Sequence, residues 1–287
     1  MITKKDLFLQ LEDAGVKHDD TLLVHSSMKA FGRFEGDIDG LIDAFCEYLT
    51  DGLFIVPAHT WATVNKRDPV FDLKNAVPCT GLLSRTAVLR SDGVRSSNPT
   101  HSVVVFGKEK EDYIKGEEVI STPTPRNGCY GKLIDRDGAI LLLGVGHDRN
   151  TFLHCLEETA ALPYRLSKKE VPFIDLSDTP TIHPMKTVFC PYSKDVSAHY
   201  PILQPLLTQG KADTYRTIGN APSIVCRAKR ASQILLPIME KSKNDGSDYL
   251  LPDAHKKYVK RLNSDPFFRF FSIAEIKNYL KLLYKAA

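Results

Sequence analysis

The stretch that most limits how this chain can fold begins with the apolar run Ala139–Leu143. It continues as Gly144-Val145-Gly146-His147-Asp148-Arg149-Asn150-Thr151-Phe152-Leu153-His154-Cys155-Leu156-Glu157-Glu158. The apolar run reads as a buried strand. Gly144 and Gly146 let the backbone turn sharply, and Gly146 allows close approach of a ligand. Asp148, Asn150 or Thr151 is placed to cap the helix that follows. In that helix Leu153, Leu156 and Ala160 recur at helical spacing and should face the core. His154, Glu157, Glu158 and Ala161 share another face. An imidazole therefore stands beside carboxylates, just past the end of a strand, where open α/β sheets bind ligands. The same spacing also suits a surface histidine with an ion-pair partner.

Other segments repeat this layout. Thr3 caps a first helix that Gly15 stops. Thr21–His25 reads as a buried strand running into Ser26-Ser27, whose hydroxyls and free turn amides suit phosphate or carbonyl oxygens. A Ser-capped turn would look the same. A helix over Asp37–Tyr48 precedes a strand over Leu53–Pro57, which ends in His59, Thr60 and Trp61. Residues 62–79 read as an irregular loop at a site mouth. Thr80-Gly81 opens a short helix, Leu82–Arg90. The polar octet Arg95–Ser102 abuts the strand Val103–Phe106, a pattern often seen in binding loops. Lys108–Glu118 reads as a charged helix with a solvated face. Thr122–Gly131 is a turn-rich loop in which Gly128 and Gly131 imply close backbone approach. Short strands and turns follow to about residue 190. Ser223–Cys226 reads as a strand, Ala228–Lys241 as an amphipathic helix, and Ser272–Tyr284 as a helix in a lysine-rich tail.

Composition narrows the function classes. A net charge of +3 over 287 residues is too weak to argue for nucleic acid. No apolar run is long enough to span a bilayer, and the N-terminus lacks the apolar core of a signal peptide. The six cysteines are scattered, with no C-x-x-C pair, which fits a reducing, cytoplasmic setting. No G-x-S-x-G, Walker A, G-x-G-x-x-G or H-E-x-x-H motif is present. His25, His59, His101 and His154 lack helical metal-ligand spacing, so no metal is expected.

Taken in order, HSSM-KAFG (25–32), TG (80–81), RSSNPTHS (95–102), TPTP-NGCYGKL (122–133), LLLGVG---NTFLH--EE (141–158) and IGNA (218–221) resemble the aminoglycoside 3-N-acetyltransferase family. The resemblance runs from about residue 5 to 240 and leaves 241–287 as a helical extension of one acetyltransferase domain. It implies a three-layer α/β/α fold with a mixed central sheet, distinct from the GNAT acetyltransferase fold. It implies acetyl-CoA (coenzyme A) as co-substrate, a small-molecule amine acceptor, and a monomer or homodimer.

The family's catalytic histidine falls on His154 and its carboxylate on Glu157. A histidine near neutral pKa suits deprotonation of an attacking ammonium. Glu157 would orient the ring, stabilise imidazolium or hold the cationic acceptor. His25, Ser26, Ser27, Thr80, Gly81, Ser96, Ser97, His101 and Ser102 fall where the family lines coenzyme A. Lys29, Arg33, Arg85 or Arg95 can neutralise its phosphates by charge. Trp61, Asp72, Tyr130, Asp148 and Glu158 are the candidates for contact with an aminoglycoside acceptor.

Three departures bear on substrate. Asn98 stands where many members carry histidine. The stretch between Trp61 and Thr80 is short. Arg126 adds positive charge to a loop near the expected site. A polycation calls for an acidic groove, and Asp68, Asp72, Asp148, Glu157 and Glu158 are the acids available. Another amino sugar, a nucleotide-linked one included, is an alternative acceptor. An acyl-CoA thioesterase using Ser26 or Ser27 with His25 or His154 is another reading, as is coenzyme A binding without turnover.

Overall fold

The computed structural model describes residues 1–163, 165–176, 180–188, 196–246 and 248–250. The strands are β1 Thr21–Ser26, β2 Leu53–Pro57, β3 Val70–Phe71, β4 Val94–Arg95, β5 Val103–Phe106, β6 Ala139–Leu143, β7 Val171–Asp175, β8 Thr181–Met185, β9 Asp213–Ile218 and β10 Ala221–Arg227. The helices are α1 Lys4–Asp13, α2 Met28–Phe31, α3 Asp37–Tyr48, α4 Leu82–Ala87, α5 Lys110–Ile114, α6 Cys129–Asp135, α7 Phe152–Thr159, α8 Gln204–Gln209 and α9 Ala228–Asp245.

Contiguous apolar strands must bury both faces, and they do so here. The main sheet has the order β4-β5-β2-β1-β6-β10-β9. β1 runs parallel to β2 and β6, while β5 and β10 run antiparallel to their inner neighbours. Along β1 and β6, Leu22, Val24, Leu141 and Leu143 pack toward α1–α4. Leu23, Ile140 and Leu142 pack toward α5–α9 on the opposite face. Each such fully buried side chain stabilises the fold by about 1.5–3 kcal/mol. The result is the three-layer α/β/α arrangement with a mixed sheet that the family resemblance implies.

A second sheet, β3-β7-β8, lies outside the main one. Phe71, Phe173 and Met185 form its own small core with Val64 and Ile120. Of residues 62–79 only Val70–Phe71 joins this sheet; the rest is turns and irregular backbone, as the sequence presents it, and part of it lines the cleft of the candidate active site. The two-residue β3 is too short to show any periodicity.

Three local expectations change. The charged segment Lys108–Glu118 is two pieces, because Gly116 (φ +92°) ends α5 before the 3-10 turn Glu117–Val119. Glu117 is buried, not solvated, and accepts from the Cys129 amide at 2.7 Å. The start of α7 carries no side-chain cap. Its first amides are satisfied by the tight backbone bonds Leu153 N to Asn150 O and His154 N to Thr151 O. The Asn150 amide instead meets His147 Nδ1 at 3.2 Å. The tail helix expected at Ser272–Tyr284 lies outside the described residues. Among the described residues no helix is long and apolar enough to cross a membrane.

Candidate active site

A cleft of about 1280 Å³ opens where β1, β2 and β6 end. Parallel strands β1, β2 and β6 bring His25, His59 and the 145–154 segment to one edge of the sheet. Because β5 is antiparallel to β2, the residues before it, Thr100 and His101, arrive at the same edge. Thr80 and Ser84 at the start of α4 form another wall. The 145–151 turn is fixed from below, since His147 Nε2 meets buried Asp213 at 2.8 Å. Gly144 is required there: a Cβ would lie 2.7 Å from Ala30 Cβ, at a φ of +70°.

His154 lies in the first turn of α7 and lines the cleft. Among the described residues its polar contacts are at Nδ1, which leaves Nε2 as the ring nitrogen for a ligand. Nδ1 is 3.0 Å from Glu157 Oε2 and also contacts the Tyr200 hydroxyl and Arg165 Nη2. Glu157 is fully buried. It pairs with the Arg165 guanidinium and accepts from Tyr200 at 2.7 Å and Tyr249 at 2.6 Å. Burial pushes the Glu157 carboxyl up, but the hydrogen bond from His154 and the charge of Arg165 prevail, so its pKa lies below the usual value. An ionised Glu157 favours the proton on Nδ1, which leaves a lone pair on Nε2. The guanidinium contact pulls toward the other tautomer. The carboxylate outweighs it, because Tyr200 directs its proton to Glu157 and can also accept from Nδ1–H.

Arg165, Tyr200 and Tyr249 carry no sequence signal. They come from three distant segments with no common periodicity, and only the fold joins them. Tyr249 belongs to the segment read as an extension, yet it is buried against Glu157.

His25, Ser26, Thr80 and His101 line the cleft, as do Trp61 and Asp148. His59 lines it too and meets the buried Tyr130 hydroxyl at 2.6 Å. The remaining candidates lie elsewhere. Ser27 caps α2, Gly81 precedes α4, and Lys29 and Ser97 are outside the lining. Arg95 donates to the carbonyls of Ala76 (2.6 Å), Ala58 (3.1 Å) and Leu73 (3.2 Å). Ser96 accepts from the Val103 amide at 3.1 Å, and Ser102 donates to Ala58 O at 2.7 Å. These three shape the polar loop. Asp72 accepts from Asn75 and Lys74 within its own turn. Glu158 accepts from the Thr124 amide and hydroxyl at 2.9 and 2.7 Å. Arg126 pairs with Asp135 (2.9 Å) and stands outside the cleft lining.

The cleft gathers four imidazoles, those of His25, His59, His101 and His154. Among the described residues no group of three or more His, Cys, Asp or Glu is placed to hold a metal. Burial, reinforced by His154, depresses the His25 pKa to about 3. Burial, then the neighbouring His101, His25 and His154, puts His59 well below its usual value. Both rings are neutral near pH 7. The unfolded chain binds these protons first, so their contribution to stability is full above about pH 6.5 and is lost as the pH falls, for His25 toward about pH 3. A His25→Gln variant should therefore lose less melting temperature than the parent between about pH 7 and 5. Equal losses would show that His25 is not neutral in the fold.

The sequence model of the aminoglycoside 3-N-acetyltransferase family matches residues 23–240. This chain belongs to that family. As a member of the aminoglycoside 3-N-acetyltransferases it is an acyltransferase. Aminoglycoside N(3)-acetyltransferase IV of Salmonella is 32% identical over 164 residues, 56% of this chain and 60% of that relative's length. Aminoglycoside N(3)-acetyltransferase III of Serratia marcescens is 26% identical over 238 residues, covering 77% of this chain and 85% of the relative. Among solved structures, AAC-IIIb in a binary complex with CoASH superposes with a TM-score of 0.72 at 22% identity, covering 84% of this chain and 97% of that one. A mutant of AAC(3)-IVa in complex with a gentamicin gives 0.70 at 23% identity, covering 89% and 97%. At these identities the structural likeness establishes the shared fold.

Proposed function

We propose that this acetyltransferase moves the acetyl group of acetyl-CoA to a primary amine of an aminoglycoside, the 3-amino group of the deoxystreptamine ring, with His154 as general base. The observation that carries the reading is the His154–Glu157 pair at 3.0 Å, with Nε2 left to the cleft. The amine nitrogen attacks the acetyl carbonyl carbon and loses a proton to Nε2. Glu157 stabilises the imidazolium formed. The C–S bond breaks, and the imidazolium returns the proton to the departing thiolate.

Coenzyme A fits along His25, Ser26, Thr80 and His101. His25 Nε2 is buried with no hydrogen-bond partner among the described residues, and with its proton there it is suited to donate to a thioester oxygen. The exposed indole of Trp61 offers an apolar face to a sugar ring, and Asp148 a carboxylate to an amine. A cleft larger than the usual ligand pocket of about 300–1,000 Å³ suits two substrates at once. The relatives' names point to the aminoglycoside acceptor.

Two measurements test this. Acetyl-CoA at about a hundredfold excess over its Kd should stabilise the protein by about 2.7 kcal/mol. Incubation with acetyl-CoA and kanamycin should yield a product acetylated at the 3-amino group, read by mass spectrometry and NMR. Absence of both the stabilisation and the acetylated product would overturn the reading.

A further inference from the structure

Three cations that line the cleft have no ion-pair partner among the described residues: Lys66, Arg67 and Lys169. β3 and β7 are parallel, and these residues directly precede them, so all three stand at the same end of the small sheet. All three are exposed, and none has a side-chain ion pair among the described residues. The facing acid at that end is Glu170, because Asp68 lies outside the lining. The cleft's other charged residues, Asp148 and Arg149, form an exposed pair at 3.3 Å that adds no net charge, and Asp148 can exchange this weak partner for an amine. The remaining candidate acids stand outside the cleft lining: Glu157 is paired with Arg165, Glu158 is buried against Thr124, and Asp72 closes its own turn. A polycation entering this cleft meets repulsion at the small-sheet end, where an anion meets attraction.

Resting on the acetyl-transfer reading above, we propose that the cleft takes a second acceptor class, an amino sugar bearing phosphate. Its amine lies at His154 Nε2 and its phosphate on Lys66, Arg67 and Lys169. Arg67 supplies a planar fork matched to phosphate oxygens, and the two lysines supply point charges.

The test measures amine-dependent thiol release from acetyl-CoA with glucosamine, glucosamine 6-phosphate, uridine-diphosphate glucosamine and kanamycin. At low ionic strength either phosphate-bearing sugar should exceed glucosamine in kcat/KM by about tenfold or more, and the margin should shrink with added salt. The two phosphate arms separate a monophosphate from a nucleotide-linked carrier. In the triple variant Lys66→Glu, Arg67→Glu, Lys169→Glu the preference should vanish. Equal kcat/KM with and without phosphate, while kanamycin still turns over, overturns this proposal alone. A variant whose loss falls on the acetyl-CoA KM also overturns it, because the cations would then serve the phosphates of coenzyme A. No thiol release with any amine overturns the acetyl-transfer reading together with this one.

Discussion

Replacing Arg165 with methionine is expected to destabilise the folded protein by about 3–5 kcal/mol, the usual cost of removing one partner from a buried ion pair. Arg165 and Glu157 are both essentially inaccessible to solvent, so water cannot replace the lost charge. Tyr200 and Tyr249 still donate to the carboxylate, but neither carries charge. The double variant Arg165→Met, Glu157→Gln should therefore cost less than the sum of the single variants, since it leaves no unpaired buried charge. Urea unfolding measures each value. In the assay, Arg165→Met should lower kcat and leave the acetyl-CoA KM nearly unchanged, with partial recovery in Arg165→Lys. Strict additivity of the two substitutions would show that the pair is not coupled.

His154→Ala is expected to lower kcat/KM by roughly 10²–10⁴-fold, the usual worth of a positioned general base. Folding should survive, because Leu153 and Leu156 on the same helix carry the core packing. Acetyl-CoA should still raise the melting temperature. Glu157→Gln should cost less than His154→Ala, since the amide can still accept a hydrogen bond from Nδ1 but no longer balances the imidazolium.

Much of the scaffold was legible in the sequence because its strands are short, wholly apolar blocks. Leu53–Pro57, Val103–Phe106 and Ala139–Leu143 form strands over the spans that their apolar character marks. The His154 and Glu157 pairing was legible because three residues on a helix is a contact distance. What sequence spacing could not reveal is what surrounds that pair. Arg165, Tyr200 and Tyr249 reach Glu157 only after β6, α7 and α9 have packed, and a lone arginine or tyrosine carries no periodic mark. The burial of Glu117 was hidden in a run of charges that reads as solvated. Arg95 looked available to phosphate, and only the fold places carbonyl oxygens around its guanidinium. The cation-lined end of the cleft was equally invisible, since Lys66 and Lys169 are about a hundred residues apart and become neighbours through the parallel pairing of β3 with β7.

The central claim is acetyl transfer to an amine with His154 taking the proton. Its most direct test is the initial rate of thiol release from acetyl-CoA, measured with and without kanamycin, in the parent and in folded His154→Ala. The account predicts release that depends on the amine and falls by about two orders of magnitude or more in the variant. Release at the same rate without any amine would make the protein a thioesterase, and a folded His154→Ala protein at parental rate would remove His154 from the mechanism.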